Sequence, residues 1–581
     1  MGFTKEYEEM TNEKEKKKVI PNKIDPEVFE ALKEVVGERW ISEQRSVIET
    51  YSKFSIDGQS FLRKYAKDPF AIPACIILPS TTEEVQSIVK ICNKYKVPFL
   101  PFTNGQVFCS VTTPAPTLCI HMSRMTKVLN IDEENMAATL QAYVDYAQLQ
   151  AEAMKKGLWN GGAPLATSLC KLSSQFSFAG LWQTDLKYGQ LNRNLISARI
   201  VLPDGEILDV GSRSLPHAGD FWEYGPGPDL LGLMRGGAGS NGIVTEITVK
   251  LHTWVGGEYL PEVTAGRPSL PDVHEPKYDS PPPPDNHKLI WIEFPDMKSE
   301  IKTLHEISHS GVAIGLNATG VYSAYYCSQT QEMTNKRAEE GYFPPFNCYV
   351  ILAGIISPKQ IDYEEKVIRQ IAKETGGTIL SEQYKPEVLQ TLAPWNLDWV
   401  RHVSGFRMNR RMYASAWLPV GPFEMSLQHQ QFWTDCLETI GETHITDRGG
   451  SKDTPFIYAI DRGRFCFTET DNYPDPTKPE MIQKAAACGL YGMTRLIKEK
   501  VGNTLMALST VEPLVSFYPE VGPNAQLLFR KIRRVFDPNG LCAPGRQVYT
   551  EEEMSSLPDE VYQAVNSMRE SLDMSPIKKP Q

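Results

Sequence analysis

Residues 74–101 carry the pattern that most restricts what this chain can fold into. Ala74-Cys-Ile-Ile-Leu78 is a short apolar run, Pro79-Ser-Thr-Thr-Glu-Glu84 carries helix-start signals, and Val97-Pro-Phe-Leu-Pro101 is a second apolar run. Ser80 or Thr81 can cap the helix, with Glu83 and Glu84 in its positive first turn. Val85, Ile88, Val89 and Cys92 recur at helical spacing, so the segment reads strand, helix, strand. Further strands are predicted at 196–202 and 207–210, joined by the turn Pro203-Asp-Gly205, and at 242–251, where alternation is clean. The Gly-rich loop Gly236-Gly-Ala-Gly-Ser240 precedes the last of these.

From about 255 to 286 the chain turns irregular and ends in Pro281 to Pro284, the composition of a linker or long surface loop. Beyond it strand–helix units repeat: 289–294 with 297–308, 349–356 with 361–375, 414–418 with 424–439, and 456–460 and 464–468 with 481–498. These lack βαβ glycine signatures, so the spacing predicts an α+β domain whose helices cover one face of an antiparallel sheet. A helix ends at Asp537-Pro-Asn-Gly540, and a tail follows with a Thr550–Glu553 capping box. Val561, Tyr562, Val565, Met568 and Leu572 make that tail amphipathic. A helix of this length is marginal alone in water, so its apolar face must dock, on a partner subunit or on the chain's own first domain.

Bulk properties narrow the function. At 581 residues, two to four domains are expected. A net charge of −11 disfavours nucleic acid and anionic membrane surfaces, and no apolar run approaches the roughly 20 residues that span a bilayer. The first residues (Lys5, Glu8, Glu9, Glu13 to Lys18) lack the apolar centre of a signal peptide. The 11 cysteines are scattered without a C-x-x-C pair. That disfavours iron–sulfur, zinc-ribbon and c-type haem sites, predicts no metal, and makes the cytoplasm the default location.

Five segments carry a resemblance: L-P-S-T-T-E-E-V at 78–85, L-P-D-G-E-I-L at 202–208, Y-G-P-G-P-D-L-L-G-L at 224–233, G-S-N-G-I-V-T-E-I at 239–247 and F-D-P-N-G-L-C-A-P-G-R at 536–546. In this order they resemble the vanillyl-alcohol oxidase and p-cresol methylhydroxylase family of flavoproteins. The resemblance implies an α+β, two-domain FAD-binding fold with an α+β cap. It divides the chain into an N-terminal helical extension (1–59), an FAD-binding domain (60–255), the linker (256–286), a substrate or cap domain (287–515), a C-terminal return to the FAD domain (516–547) and a helical tail (548–581). FAD is the implied cofactor, with contacts from Thr103, Asn104, Gly105, Gln106, Ser173, Tyr188, Gly242, Ile243, Val244, Asn539 and Arg546.

The expected site departs from the family where chemistry should sit. Backbone N–H groups must approach the FAD diphosphate closely, yet Val107, Phe108 and Cys109 follow Gly105 where small residues are expected. The second flavin loop, 165–180, lacks the glycine and asparagine pattern. The loop tyrosine of phenol-oxidising relatives falls near Ser110 and their Tyr-Arg clamp near Leu505-Met506. No carboxylate lies between Glu152 and Asp185 to stand for their acid. Cys109 and Cys170 are buried small hydrophobes or, for Cys170, a flavin attachment point, and His121 is a structural hydrogen-bonding residue or a second such point. Arg401, His402, Arg407, Arg410 and Arg411 form surface pairs or an electropositive pocket. Arg462 and Arg464 are the catalytic candidates, on the strand expected to face the flavin. The G-D-G-N-x-H metal pattern of lactate- and glycolate-oxidising relatives is absent. Two classes remain: an FAD-linked oxidoreductase, most readily one subunit of a 4-alkylphenol-oxidising complex, or a flavin-free paralogue that scaffolds a catalytic sister. Expected partners are a sister flavoprotein subunit, a separate electron-acceptor protein and a small aromatic or other small-molecule substrate, within an oligomer.

Overall fold

The computed structural model describes residues 22–51, 72–103, 115–161, 171–173, 183–225, 227–237, 239–257, 286–320, 340, 344–380, 415–417, 419–440, 454–472, 478–502, 516–521, 523–546 and 548–580. The first layer is a four-stranded sheet in the order β1 (Ile41–Ser42), β2 (Cys75–Ile77), β4 (Leu118–His121), β3 (Phe99–Phe102). Strands β2, β4 and β3 run parallel. The crossover helix α3 (Thr82–Tyr95) connects β2 to β3, with the Thr81 side chain accepting from the Glu84 N–H as its cap. Its buried stripe Val85, Ile88, Val89 and Cys92 forms one core with the sheet.

Helix α1 (Pro26–Val36) packs Val28, Leu32 and Val36 into that same core, and β1 extends the sheet on β2. Helix α2 (Arg45–Tyr51) buries Ile48 beside Ile72 and Ile76. Residues 22–51 therefore pack on the first sheet and share its core. Their sequence shows a helix, but nothing local reveals where its apolar stripe goes.

A second, five-stranded antiparallel sheet follows, ordered β5 (Val128–Asp132), β6 (Ala137–Gln141), β10 (Ile243–Lys250), β8 (Leu195–Val201), β9 (Ile207–Val210). Helix α4 (Tyr146–Met154) and strand β7 (Leu158–Trp159) lie after β6, and the short helix α5 (Asp185–Tyr188) precedes β8. β7 pairs with β11 (His252–Thr253). Residues 541–543 return to the first layer: the Ala543 N–H donates to the Phe99 carbonyl, and the Phe99 N–H to that of Leu541.

The cap is an eight-stranded antiparallel sheet. Its path is β15 (Thr378–Ile379), β12 (His287–Glu293), β14 (Asn347–Ala353), β13 (Gly315–Thr319), β18 (Phe456–Ile460), β19 (Phe465–Asn472), β16 (Ser415–Trp417), with β17 (Val420–Gly421) also on β19. Helices α6 (Met297–Ser310), α7 (Pro358–Thr375), α8 (Met425–Ile440) and α9 (Pro479–Lys498) complete it. Ile290, Ile292, Leu316, Ala318, Cys348, Val350, Leu352, Ile457 and Ala459 share an aliphatic core with these helices. Because strand side chains alternate, the residues between them face the other way.

Helix α10 (Pro523–Phe536) leads to the return segment, and the tail forms α11 (Glu551–Ser556) and α12 (Asp559–Ser571). The Thr550–Glu553 capping box is present. Tyr562 and Val565 pack with Ile497, Phe517, Tyr518 and Val548, with Val561 at the margin. Buried Arg569 donates to the Phe517 carbonyl at 3.0 Å and pairs with Glu520. The tail's apolar face is thus covered within the chain. It docks on the last cap helix and on 517–518.

Candidate functional site

Parallel strands β2, β4 and β3 end at one edge of the first sheet, where the chain leaves at Thr103 and His121. The carboxyl ends of parallel strands are where sheets of this kind hold ligands. Against this edge lie Tyr143, just past β6, and the segment 171–173. The Ser173 hydroxyl donates to the Ala142 carbonyl. The Lys171 ammonium lies 3.0 Å from Asp145 and over the Tyr143 ring. His121 packs among Tyr51, Phe102 and Tyr143. Burial lowers its pKa to about 4, so it is neutral at ordinary pH and its Nδ1 accepts from the Ser123 N–H at 3.3 Å. A structural role for His121 fits this geometry.

The second half of the site is the seam between domains. Gln183 lies directly on the cap sheet: its carbonyl accepts from the Asn317 amide at 3.0 Å, and a Cβ on Gly315 would come within 2.2 Å of that same oxygen. Only glycine allows this approach. The Lys187 N–H donates to Ile314, and Asp461 and Arg462 N–H groups donate to Asp185 and Leu186. Helix α5 is therefore wedged between β13 and the β18–β19 hairpin. Tyr188 stacks on His252 at 3.9 Å, and burial raises its pKa to about 12. Burial lowers His252 to about 3 and His287 to about 4. His252 hydrogen-bonds Asn194 at 3.0 Å, while His287 sits against Trp159 and Trp254.

Facing this seam, the cap sheet presents a single row across five strands. Strand register aligns Trp291 with Tyr349, Tyr349 with Asn317, Asn317 with Tyr458, and Tyr458 with Phe467. Every one of these five residues is buried. The next row sets Asn347 beside Thr319. Among the described residues of this face, no lysine or arginine occurs.

Two buried polar groups point to an occupant. Asn160 is 3% exposed and Arg546 5% exposed, yet among the described residues neither polar atom of the Asn160 amide, nor Arg546 Nε, has a hydrogen-bond partner. A buried group left so costs roughly 1–3 kcal/mol, so each fits a polar, negatively charged or hydrogen-bonding ligand. FAD, with an anionic diphosphate and a ring edge of nitrogens and carbonyls, meets that requirement.

Several predicted residues do other work. Gly242 (φ +138°) is required by the sheet, because a Cβ would fall 2.7 Å from Ile200 and 2.8 Å from the Val201 carbonyl. Ile243 and Val244 pair with Val201 and Ile200 and bury their side chains in the domain's cores. Asn539 is a surface staple: its Nδ2 donates to Asn93 and its Oδ1 accepts from Lys96, both at 2.8 Å. Its amide is therefore spent on α3 and its C-terminus rather than on cofactor. Arg462 and Arg464 occupy the tip of the β18–β19 hairpin, both exposed, with Arg464 paired to Asp461 at 3.1 Å. A turn at the sheet's rim points their side chains to solvent rather than into the seam. Asn104, Gly105, Gln106, Cys109, Ser110, Cys170, the 401–411 basic cluster and Leu505-Met506 lie outside the described residues. Sequence reasoning missed Asn160, and it missed Asn317, Tyr349 and Tyr458, which only strand register brings together. Among the described residues no group of His, Cys, Asp and Glu can hold a metal ion, and no helix is long and apolar enough to cross a membrane.

Comparison with known proteins places this geometry. A model of the FAD binding domain matches residues 73–211. The mitochondrial D-lactate dehydrogenase (cytochrome) of Arabidopsis thaliana is 32% identical over 187 residues, 31% of this chain and 30% of that protein. D-lactate dehydrogenase (cytochrome) 1 of Saccharomyces cerevisiae is 31% identical over 236 residues, 40% of this chain and 38% of that protein. The chain thus spans about a third of the length of these curated relatives. In fold the agreement extends over most of the chain. p-Cresol methylhydroxylase with substrate bound superposes with a TM-score of 0.71 at 16% identity, covering 92% of this chain and 99% of that one. The 4-ethylphenol oxidase of Gulosibacter chungangensis gives 0.69 at 18% identity over the same shares. Domain match and fold together define a two-domain FAD-binding fold, with FAD the expected cofactor. The matched FAD binding domain and the shared fold agree with the family resemblance carried by the sequence motifs.

Proposed function

We propose that the chain is an FAD-dependent oxidoreductase that takes a neutral aromatic substrate on the Trp291–Tyr349–Asn317–Tyr458–Phe467 row, within a complex that shares the subunit plan, though not the substrate, of the 4-alkylphenol-oxidising type. The observation that carries this reading is the row itself: a buried aromatic and amide surface turned toward the cofactor domain, with no lysine or arginine among its described residues. Aromatic side chains bind a ring by offset or edge contacts. A phenolate brought into such a site would lack a charge partner, whereas a neutral aryl alcohol would not need one. FAD would supply the two-electron acceptor. This chain's residues would orient the ring, exclude water and hold Tyr188 protonated, while Arg546 would offset negative charge on the cofactor. The D-lactate dehydrogenases share too little of their length to carry their substrate over.

The purified full-length chain is tested by its visible spectrum and by anaerobic titration with benzyl alcohol and p-cresol. The expected result is bound flavin, bleached by the neutral alcohol, with p-cresol slower by on the order of 10²–10⁴. Equal or faster bleaching by p-cresol overturns the neutral-substrate reading. A colourless chain that cannot be reconstituted with FAD leaves the scaffold role, which Val107, Phe108 and Cys109 in the first flavin loop favour. Assembly with a sister flavoprotein and transfer to a separate acceptor protein belong to the same proposal, and native mass determination tests them.

A further inference from the structure

A second crease, lined by none of the seam residues, lies between the end of β10 and the strap 222–235. It encloses about 460 Å³, and Arg193, Lys250, Arg235, Glu223, Asp229 and Tyr224 line it. That volume lies within the usual range for small-molecule sites, roughly 300–1,000 Å³.

Its charges do not cancel. Asp229 is held by Arg235 at 3.1 Å and by its own cap contact to the Leu231 N–H. Glu223 lies 3.4 Å from Lys250 and 3.7 Å from Arg235. Arg235 also donates to the Asn192 and Leu195 carbonyls, so its guanidinium is committed to the protein. Three cations therefore face two engaged carboxylates. The remaining cation is Arg193, which is exposed and has no ion pair among the described residues. Beside it the Tyr224 ring is 71% exposed, with Trp222 edging it at 6.0 Å. A bare tyrosine face next to an uncommitted guanidinium supplies a stacking platform and a fork for a carboxylate.

We propose that this crease is a binding site for a small aromatic monocarboxylate, its carboxylate on Arg193 and its ring on Tyr224. One unmatched positive charge selects a monoanion over a dianion, and the exposed ring selects an aromatic acid over an aliphatic one. The site is independent of the cofactor and of the substrate assigned above.

Isothermal titration of the full-length protein with benzoate tests it, with cyclohexanecarboxylate as the non-aromatic control. Saturable one-to-one benzoate binding is expected. Arg193→Gln and Tyr224→Ala should each weaken it about tenfold, and the control acid should bind more weakly than benzoate. Both substituted side chains are exposed, so the variants keep the fold. Absence of saturation up to about 10 mM benzoate, affinity unchanged in either variant, or equal binding of the two acids overturns the proposal.

Discussion

The two faces of the cap sheet are equally buried and chemically opposite. Toward the helices, Ile290, Ile292, Leu316, Val350, Leu352 and Ile457 make an aliphatic core with no hydrogen bonds to satisfy. Toward the cofactor domain, one residue further along each strand, stand Trp291, Asn317, Tyr349 and Tyr458. Apolar packing dominates the first face, joined by the buried bonds of His429 to Thr468 and Thr470, and swaps that conserve volume are tolerated at its aliphatic positions. The second face carries amides and hydroxyls that a fold would not bury unless something polar met them. Stability resides in the first face, and the second is the surface proposed above for recognition.

Neighbouring residues on opposite faces test that division most sharply. Leu316→Ala should cost about 2–5 kcal/mol, the range for emptying a core leucine site. Bound flavin and turnover per folded molecule should stay near wild type. Denaturant titration gives the first quantity and the flavin spectrum with single-turnover bleaching the second. If the leucine variant is stable but slow, the separation of roles is wrong.

The histidines of the seam give the next largest effect. His252 and His287 have folded pKa values of about 3 and about 4, both depressed mainly by burial, against about 6.5 when unfolded. Between those values the unfolded chain binds more protons, so stability is fully present above about pH 6.5 and falls as the pH drops toward 4. Between pH 7 and pH 5 the loss should be on the order of 2 kcal/mol per histidine, seen as a lower urea midpoint with an unchanged slope. His287→Gln should reduce this dependence. A midpoint that does not move between pH 7 and pH 5 would show that these rings are not held neutral by the seam.

Asn317→Ala comes third. It leaves the Gln183 carbonyl without its donor and should cost about 1–3 kcal/mol, less than its neighbour Leu316. It should nonetheless slow bleaching by the substrate, because it removes the amide at the centre of the aromatic row. A variant that loses stability but bleaches at the wild-type rate would make Asn317 a seam fastener only.

The helices and longer strands of this architecture were legible because each carries its own local signal. The α3 cap at Thr81, the C-terminal stop of α7 at Gly376 (φ +86°) and the Thr550–Glu553 box are all short-range patterns. Strands β5 and β13 were not legible. Val128–Asp132 is largely exposed, with no apolar alternation, and Gly315-Leu-Asn-Ala-Thr319 is read as strand only once β14 and β18 flank it. The site fared worse for the same reason. Asn317, Tyr349 and Tyr458 stand far apart in sequence, and register alone makes them neighbours. Asn539 shows the converse: the motif position matches the family, and its amide here bonds Asn93 and Lys96.

The smallest effect should come from the residues that sequence position alone put forward for catalysis. Arg464 pairs with Asp461 across the hairpin turn, with 75% and 48% of the two side chains exposed. Exposed pairs of this kind contribute about 0–1 kcal/mol, so Arg464→Ala should barely shift the denaturation midpoint. Arg462 is held by its backbone, with a left-handed φ of +56° and an N–H donated to the Leu186 carbonyl. Arg462→Ala keeps that N–H, and glycine at the same position would relieve the conformation. Both alanine variants should therefore retain flavin binding and bleaching rates within about twofold, a difference of roughly 0.4 kcal/mol in barrier. A hundredfold loss of bleaching in either would bring the hairpin tip into the reaction. It would also break the comparison, because the working surface would then extend beyond the inner face of the sheet to its rim.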